Sequence, residues 1–78
     1  MSSRLPRVSA TEVIKVLEKI GFALSRQSGS HKIYKNAEGR RVTVPYHGST
    51  ILKLKTFKSI LSDAGLTVEE FIELLKSS

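Results

Sequence analysis

The chain has 78 residues, enough for one small domain (1–78) that buries only a modest hydrophobic core. It has no cysteine, which excludes disulfides and thiolate metal sites as sources of stability. A partner chain could supply the stability that so small a core lacks. No apolar run approaches the roughly 20 residues of a membrane span and no apolar leader opens the chain, so we expect a cytoplasmic protein that does not enter membranes.

The net charge of +6 is unevenly distributed along the chain. Residues 22–58 carry eight basic side chains against Glu38 alone, a net charge of +7, whereas residues 59–78 carry a net charge of −3. A basic surface of this kind either keeps a protein soluble or binds a polyanion, and the size of the excess favours the second. We therefore expect a nucleic acid to contact the central part of the chain.

The first predicted element is a helix that follows an extended arm, Met1–Val8. Ser9 and Glu12 have the spacing of a capping box, which predicts a helix start near Ala10. Apolar residues then recur at intervals of three and four, and Gly21 is the expected left-handed C-terminal cap. The apolar positions of this helix are Val13, Ile14, Val16, Leu17 and Ile20.

Three short strands are predicted next. Phe22–Gln27 alternates apolar and polar residues as a half-buried strand does. A glycine-containing turn leads from it to the second strand, His31–Lys35, and another leads from there to the third, Arg41–Val44. The valines of the third strand are expected to face the core, and Pro45 is expected to end that strand because it cannot donate to a β-ladder. Such short connections make the strands antiparallel neighbours.

Two helices complete the predicted order. The pattern after the third strand is helical, with an irregular turn over 51–54, a regular start at Thr56 and an end at Gly65. Thr67 and Glu70 form a second capping box before a last amphipathic helix. The predicted fold class is α+β, a two-layer α-β-β-β-α sandwich like the double-stranded-RNA-binding domain. We expect an extra C-terminal helix and all helices on one face of the sheet.

His31 is the residue best suited to chemistry, because histidine exchanges protons near neutral pH with its usual pKa of about 6.5. It opens the second strand directly behind the Gly29-Ser30 turn, and the residues around it are basic. Strand alternation puts it on the same face as Ile33, an expected core position, so a partly buried structural histidine is an equally good interpretation at this point. Tyr34, on the opposite face, is expected to pack against the sheet rather than to stack on a ligand.

Other routes to catalysis lack their residues in this sequence. Two histidines without cysteine or suitably spaced carboxylates do not make a metal site, so no metal or cofactor is expected. The Gly-x-Ser-x-Gly motif of serine hydrolases and the glycine loop that binds nucleotide phosphates are both missing. What remains is transesterification of RNA, in which the ribose 2′-hydroxyl is the nucleophile and the protein supplies proton transfer and positive charge.

We predict His31 as the general acid or base of such a reaction. His47, in the loop after the third strand, is a second proton-transfer group, a phosphate contact or simply an exposed loop residue. Ser30 either satisfies its turn or binds a phosphate oxygen. The predicted RNA-binding residues are Arg26, Ser30, Lys32, Lys35, Arg41 and His47.

Nearly the whole chain resembles the HicA toxins of bacterial and archaeal type II toxin–antitoxin systems. The resemblance rests on Gly-Ser-His at 29–31, Val-Pro-Tyr-His at 44–47 and Ala-Gly-Leu at 64–66, together with Leu-Pro-Arg-Val-Ser before the first helix. Many members have a glycine before the threonine that opens the second helix. This chain has Lys55 there, so the path of Ile51–Lys55 is expected to differ.

The resemblance implies a fold like the double-stranded-RNA-binding domain and an mRNA interferase, a toxin that stops translation by cleaving mRNA, with its catalytic histidine at His31. It also implies a HicB-like antitoxin that covers this histidine, and no direct sequence-specific reading of DNA by the toxin itself. Two alternatives stay open. One is an RNA-binding module without catalytic activity, and the other is an inactive toxin-like scaffold for an antitoxin.

Overall fold

The computed structural model describes residues 7–46 and 51–77. In chain order, the elements are helix α1 (Ala10–Lys19), strands β1 (Ala23–Ser28), β2 (His31–Lys35) and β3 (Arg41–Pro45), and helices α2 (Leu54–Ala64) and α3 (Val68–Lys76). The three strands form an antiparallel sheet in the order β1-β2-β3. The predicted α+β order and the antiparallel meander are confirmed. No helix in the described part of the chain is long and apolar enough to cross a membrane.

Both predicted capping boxes are present. Ser9 Oγ accepts a hydrogen bond from Glu12 N at 3.3 Å, and Glu12 Oε1 accepts one from Ser9 N at 2.9 Å. Thr67 and Glu70 make the same reciprocal pair of bonds at the start of α3. Gly21, with φ at +99°, follows α1 in the left-handed conformation expected of its C-terminal cap. Local side-chain chemistry therefore defines these helix ends.

The start of α2 differs from the prediction. The helix begins at Leu54 with Lys53 as its N-cap, so Thr56 lies in the first turn and is not the cap. The Lys53 side chain makes no capping hydrogen bond. The preceding segment is instead held by a backbone bond from Leu52 N to Val8 O at 2.8 Å. A contact with the chain before α1 thus helps to position this helix, and local sequence patterns carry no sign of it.

The hydrophobic core lies between the sheet and the helices. Val42 and Val44 of β3 are fully buried, as predicted. Tyr34 of β2 is 3% exposed, so it has the expected packing role and is not available to stack on a ligand. α3 lies against α1 and contributes Phe71, whose ring meets that of Phe57 in α2 edge-to-face with centroids 4.9 Å apart. The buried residues of the core are Val8, Ala10, Val13, Val16, Leu17, Phe22, Tyr34, Val42, Val44, Phe57, Ile60, Leu61, Ala64 and Phe71.

The prediction that the first strand is half-buried is wrong. All six residues of β1 are exposed, and Leu24 keeps 50% of its surface accessible. The physical reason is the position of the helices: α1 and α2 pack against β3, which lies at the other edge of the sheet. β1 is therefore an edge strand held mainly by its ladder with β2.

Two further details of the sheet correct the prediction. Ile33 is not a core residue but only half-buried, because the core side of β2 is the side of Tyr34. Pro45 belongs to β3 instead of ending it at Val44. Pairing even continues beyond the proline, since Tyr46 N donates a hydrogen bond to Ser30 O at 2.6 Å.

Candidate functional site

The sheet has one face against the helices and one open face. Directly paired residues of an antiparallel sheet share a face, and successive residues of a strand alternate between faces. Tyr34 pairs with Val42 and both are buried, so the neighbouring positions of β2 and β3 belong to the opposite side. We define the open face by its paired residues Ala23, Arg26 and Ser28 of β1, His31, Ile33 and Lys35 of β2, and Arg41, Thr43 and Pro45 of β3.

His31 lies at one end of the open face. It is the first residue of β2, it is exposed, and it pairs with Ser28 on one side and Pro45 on the other. Gly29, in the two-residue turn before it, has φ at +58°, a backbone conformation that glycine adopts more readily than other residues. The exposure of His31 contradicts the interpretation as a partly buried structural histidine and leaves its imidazole accessible to a ligand.

The pairing of β2 with β3 brings the side chains of the open face close together. The bond from Tyr46 N to Ser30 O marks a hydrogen-bonded pair, and hydrogen-bonded and non-hydrogen-bonded pairs alternate along an antiparallel ladder. The non-hydrogen-bonded pairs, with Cα atoms about 4.5 Å apart, are therefore His31–Pro45, Ile33–Thr43 and Lys35–Arg41. This register also explains why the strand tolerates Pro45, which has no ladder N–H to lose at such a position.

A β-bulge in β1 puts Arg26 on the open face. The register shifts between Leu24 and Arg26, so that Leu24 lies on the helix side while Arg26, two residues later, pairs with Ile33. Strict alternation would have placed both on the helix side. Because Ile33 and His31 are neighbours on the same face of β2, Arg26 is a diagonal neighbour of His31, a Cα separation of about 7–8 Å that a long side chain can bridge. Bulges commonly re-aim a side chain in this way.

The charged side chains of the open face are all cationic. Arg26, Lys35 and Arg41 share it with His31, and its defining residues include no carboxylate. Arg40, the residue next to Arg41, turns away, since its Nη1 donates to Asp63 O at 3.1 Å near the end of α2. The open face thus attracts anions, whereas Arg40 links the sheet to the end of α2.

Lys32 lies on the other face from His31. The residue is half-buried, and its Nζ is 4.0 Å from the centroid of the Tyr46 ring, a cation–π contact. On the same side of β2, burial raises the pKa of the Tyr34 phenol, with the Glu18 carboxylate and then Tyr46 adding to the effect. The structure therefore separates Lys32 from the other predicted RNA-binding cations.

The remaining predicted groups are Ser30 and His47. Ser30 is half-buried in the β1–β2 turn, where its carbonyl already accepts the bond from Tyr46. His47 lies outside the described residues. Within 7–46 and 51–77, no three histidine, aspartate or glutamate side chains are grouped so that they could hold a metal ion.

The open face falls within a segment that matches a known family. A family model described as "HicA toxin of bacterial toxin-antitoxin" matches residues 10–66. The match includes α1, the complete sheet and α2, and it ends before α3. The comparison with curated proteins gives no match.

Proposed function

The chain belongs to the HicA family of toxins from bacterial toxin–antitoxin systems, and on that premise we propose that it is a metal-independent endoribonuclease, an mRNA interferase acting in the cytoplasm. The observation that carries the proposal is an exposed His31 on a sheet face whose charged side chains are all cationic. Such a face attracts the RNA backbone, and histidine is the side chain most often used for general acid–base catalysis.

The proposed reaction is an internal transesterification of RNA. A base removes the proton of a ribose 2′-hydroxyl, and the 2′-oxygen attacks the adjacent phosphorus. The bond from phosphorus to the 5′-oxygen then breaks, and that oxygen takes up a proton from an acid. The products are a 2′,3′-cyclic phosphate and a free 5′-hydroxyl. His31 performs one of the two proton transfers, which typically accelerates a reaction by about 10²–10⁴-fold; His47 remains a prediction for the other.

Arg26 is the cation best placed to stabilise the charge that develops on the phosphate. It is the diagonal neighbour of His31 on the open face, and its planar guanidinium can bind two phosphate oxygens at once. Lys32 suits this role less well, because its ammonium group packs over Tyr46 on the helix side of the sheet. The bulge that turns Arg26 outward is accordingly part of the proposed site.

The family also implies an antitoxin, and we propose that a HicB-like partner inhibits the toxin by covering the open face. A protein that buries His31 there must also bury Arg26 and the cations beyond it. Buried charges without partners are costly, so we expect the contacting surface of the antitoxin to carry carboxylates. Covering this face would exclude RNA from His31, and no direct reading of DNA by the toxin is involved.

The decisive experiment compares wild type with His31→Ala on RNA in EDTA. We expect the variant to cleave about 10²–10⁴-fold more slowly, and the wild-type products to carry cyclic phosphate ends. Because His31 is exposed, the free energy of unfolding should change by less than about 0.5 kcal/mol. Ser59→Ala, which alters an exposed residue of α2 away from the open face, is the control and should retain cleavage.

Three outcomes would contradict the proposal in different ways. Equal cleavage by wild type and His31→Ala would remove the catalytic role of the histidine. Loss of wild-type cleavage in EDTA would show that a metal is required. Wild-type protein that binds RNA but leaves it intact would favour the RNA-binding module, the alternative that uses the same cationic face.

A further inference from the structure

The end of the open face far from His31 carries two cations directly opposite each other. Lys35, the last residue of β2, pairs with Arg41, the first residue of β3. Their pair is of the non-hydrogen-bonded kind, in which the side chains approach most closely. Like charges in this arrangement repel each other and destabilise a sheet. On the β1 side, Lys35 pairs with Ala23, whose methyl group cannot neutralise either charge.

The sheet does not relieve this repulsion. The open face includes no acidic residue among its defining positions, and the β2–β3 turn contributes only Glu38, which is exposed. Arg40 is bonded to the carbonyl of Asp63 and does not join the pair. Two close cations without a carboxylate between them are suited to an anion that offers several oxygens, and a phosphate is such an anion.

We propose that Lys35 and Arg41 form a phosphate subsite that holds the RNA at a point beyond the scissile bond. The inference rests on the proposed function, because it takes RNA to be the substrate. Lys35 lies four residue steps beyond His31 along β2, which corresponds to roughly 13 Å. Ile33 and Thr43 lie between the two ends and give the intervening nucleotide an uncharged surface.

The subsite makes cleavage depend on the length of the RNA. A dinucleotide has only the scissile phosphate and cannot occupy both ends of the open face. A longer strand places a second phosphate on Lys35 and Arg41, and this contact positions the scissile bond at His31. We expect kcat/KM to rise by about 10- to 100-fold once the strand reaches the subsite, which corresponds to one charged hydrogen-bonded contact. Lengthening the RNA beyond the subsite should raise kcat/KM little further.

The test measures kcat/KM on RNAs that grow from a dinucleotide in both directions. Lys35→Gln/Arg41→Gln should lose the gain with length and should slow cleavage of the dinucleotide much less than cleavage of the long RNA. Lys15→Gln/Lys76→Gln is the matched control, because it removes the same charge from exposed helix positions and should keep that gain. A Lys35→Gln/Arg41→Gln variant that keeps the gain, or that slows the dinucleotide as much as the long RNA, overturns the proposal.

Binding of 2′-O-methyl RNA, which lacks the nucleophile, separates this inference from the proposed function. For wild type we expect affinity to rise when the strand is long enough to reach the subsite. The double variant should lose that rise, and the slope of log affinity against log salt should fall by about 0.7, the value for one phosphate of a single strand. Unchanged affinity and slope overturn the subsite even where His31 proves catalytic. Length-dependent binding without any wild-type cleavage would sustain the subsite and overturn the ribonuclease.

Discussion

Helix α3 lies beyond the segment that matches the family, yet it supplies one of the most buried side chains of the protein. Phe71 is 1% exposed, and its ring contacts Phe57 of α2 at an interplanar angle of 74°. A hydrogen bond also joins α3 to α1, because Lys19 Nζ donates to Leu74 O at 2.6 Å. We therefore predict that Phe71→Ala destabilises the whole domain and not α3 alone.

The magnitude follows from the burial of the ring. Truncating a buried phenylalanine to alanine removes its transfer free energy and leaves a cavity, at a cost of about 3–5 kcal/mol. A domain of 78 residues has a free energy of unfolding of about 4–12 kcal/mol. At this size, each kcal/mol lowers Tm by about 4–8 °C, so Phe71→Ala should lower Tm by roughly 12–40 °C.

Urea and thermal unfolding followed by far-ultraviolet circular dichroism would measure this effect. Phe71→Leu, which keeps most of the volume, should cost far less, and Glu69→Ala on the exposed side of α3 should change the free energy of unfolding by less than about 0.5 kcal/mol. A cost under about 1 kcal/mol for Phe71→Ala would contradict this role of α3. Separate melting of α3 with an unchanged main transition would contradict it as well, because the segment 10–66 would then fold without α3.

Three further predictions concern single contacts. Ser9→Ala removes the capping bond of α1 and should cost about 1 kcal/mol in urea titrations, while Ser9→Asp should retain stability. A double-mutant cycle of Lys32→Gln and Tyr46→Leu should give a coupling of about 0.5–1 kcal/mol, and zero coupling would deny the cation–π contact any stabilising role. Folding raises the pKa of Tyr34, so the unfolded chain loses the phenolic proton first as pH rises. The contribution of Tyr34 to the free energy of unfolding is therefore fully present below about pH 10 and falls above it. Tyr34→Phe should lessen that fall in unfolding titrations between about pH 9 and 11, and identical curves for the two proteins would refute the assignment.

Local patterns were sufficient for the elements whose ends depend on local chemistry. Both capping boxes work through hydrogen bonds between residues three apart, and Gly21 adopts its left-handed conformation within the turn that follows α1. Short turns likewise require consecutive strands to be antiparallel neighbours. These features need no knowledge of the rest of the molecule, and the order of the fold follows from them.

The orientation of β2 could not be read from its own five residues. His31–Lys35 has one apolar side chain on each face, Ile33 on one and Tyr34 on the other, so alternation alone does not identify the core side. The buried valines of β3 decide it, because Val42 pairs with Tyr34. Combining the predicted core position of Val42 with the register of the β2–β3 hairpin would have placed His31 on the open face.

The bulge in β1 and the start of α2 could not be predicted from local sequence patterns. The residues around Arg26 have no pattern that predicts a β-bulge, and strict alternation assigns this side chain to the wrong face of the sheet. The backbone bond between Leu52 and Val8 links residues far apart in the chain. For a candidate site the bulge matters more, since it decides whether Arg26 shares a face of the sheet with His31.

With the proposed function, the two faces of the sheet have different roles. On the helix side, buried apolar residues and the contacts of α3 supply the free energy of folding, whereas the open face holds Lys35 and Arg41 in a repulsive pair. Anything that neutralises this pair and binds only the folded chain must raise the stability of the toxin as well as occupy its site. RNA and an acidic antitoxin surface are the two ligands that we propose for the open face, so we expect them to compete for it. Salt should weaken both interactions, and substitutions on the helix side should alter folding without shifting the competition between them.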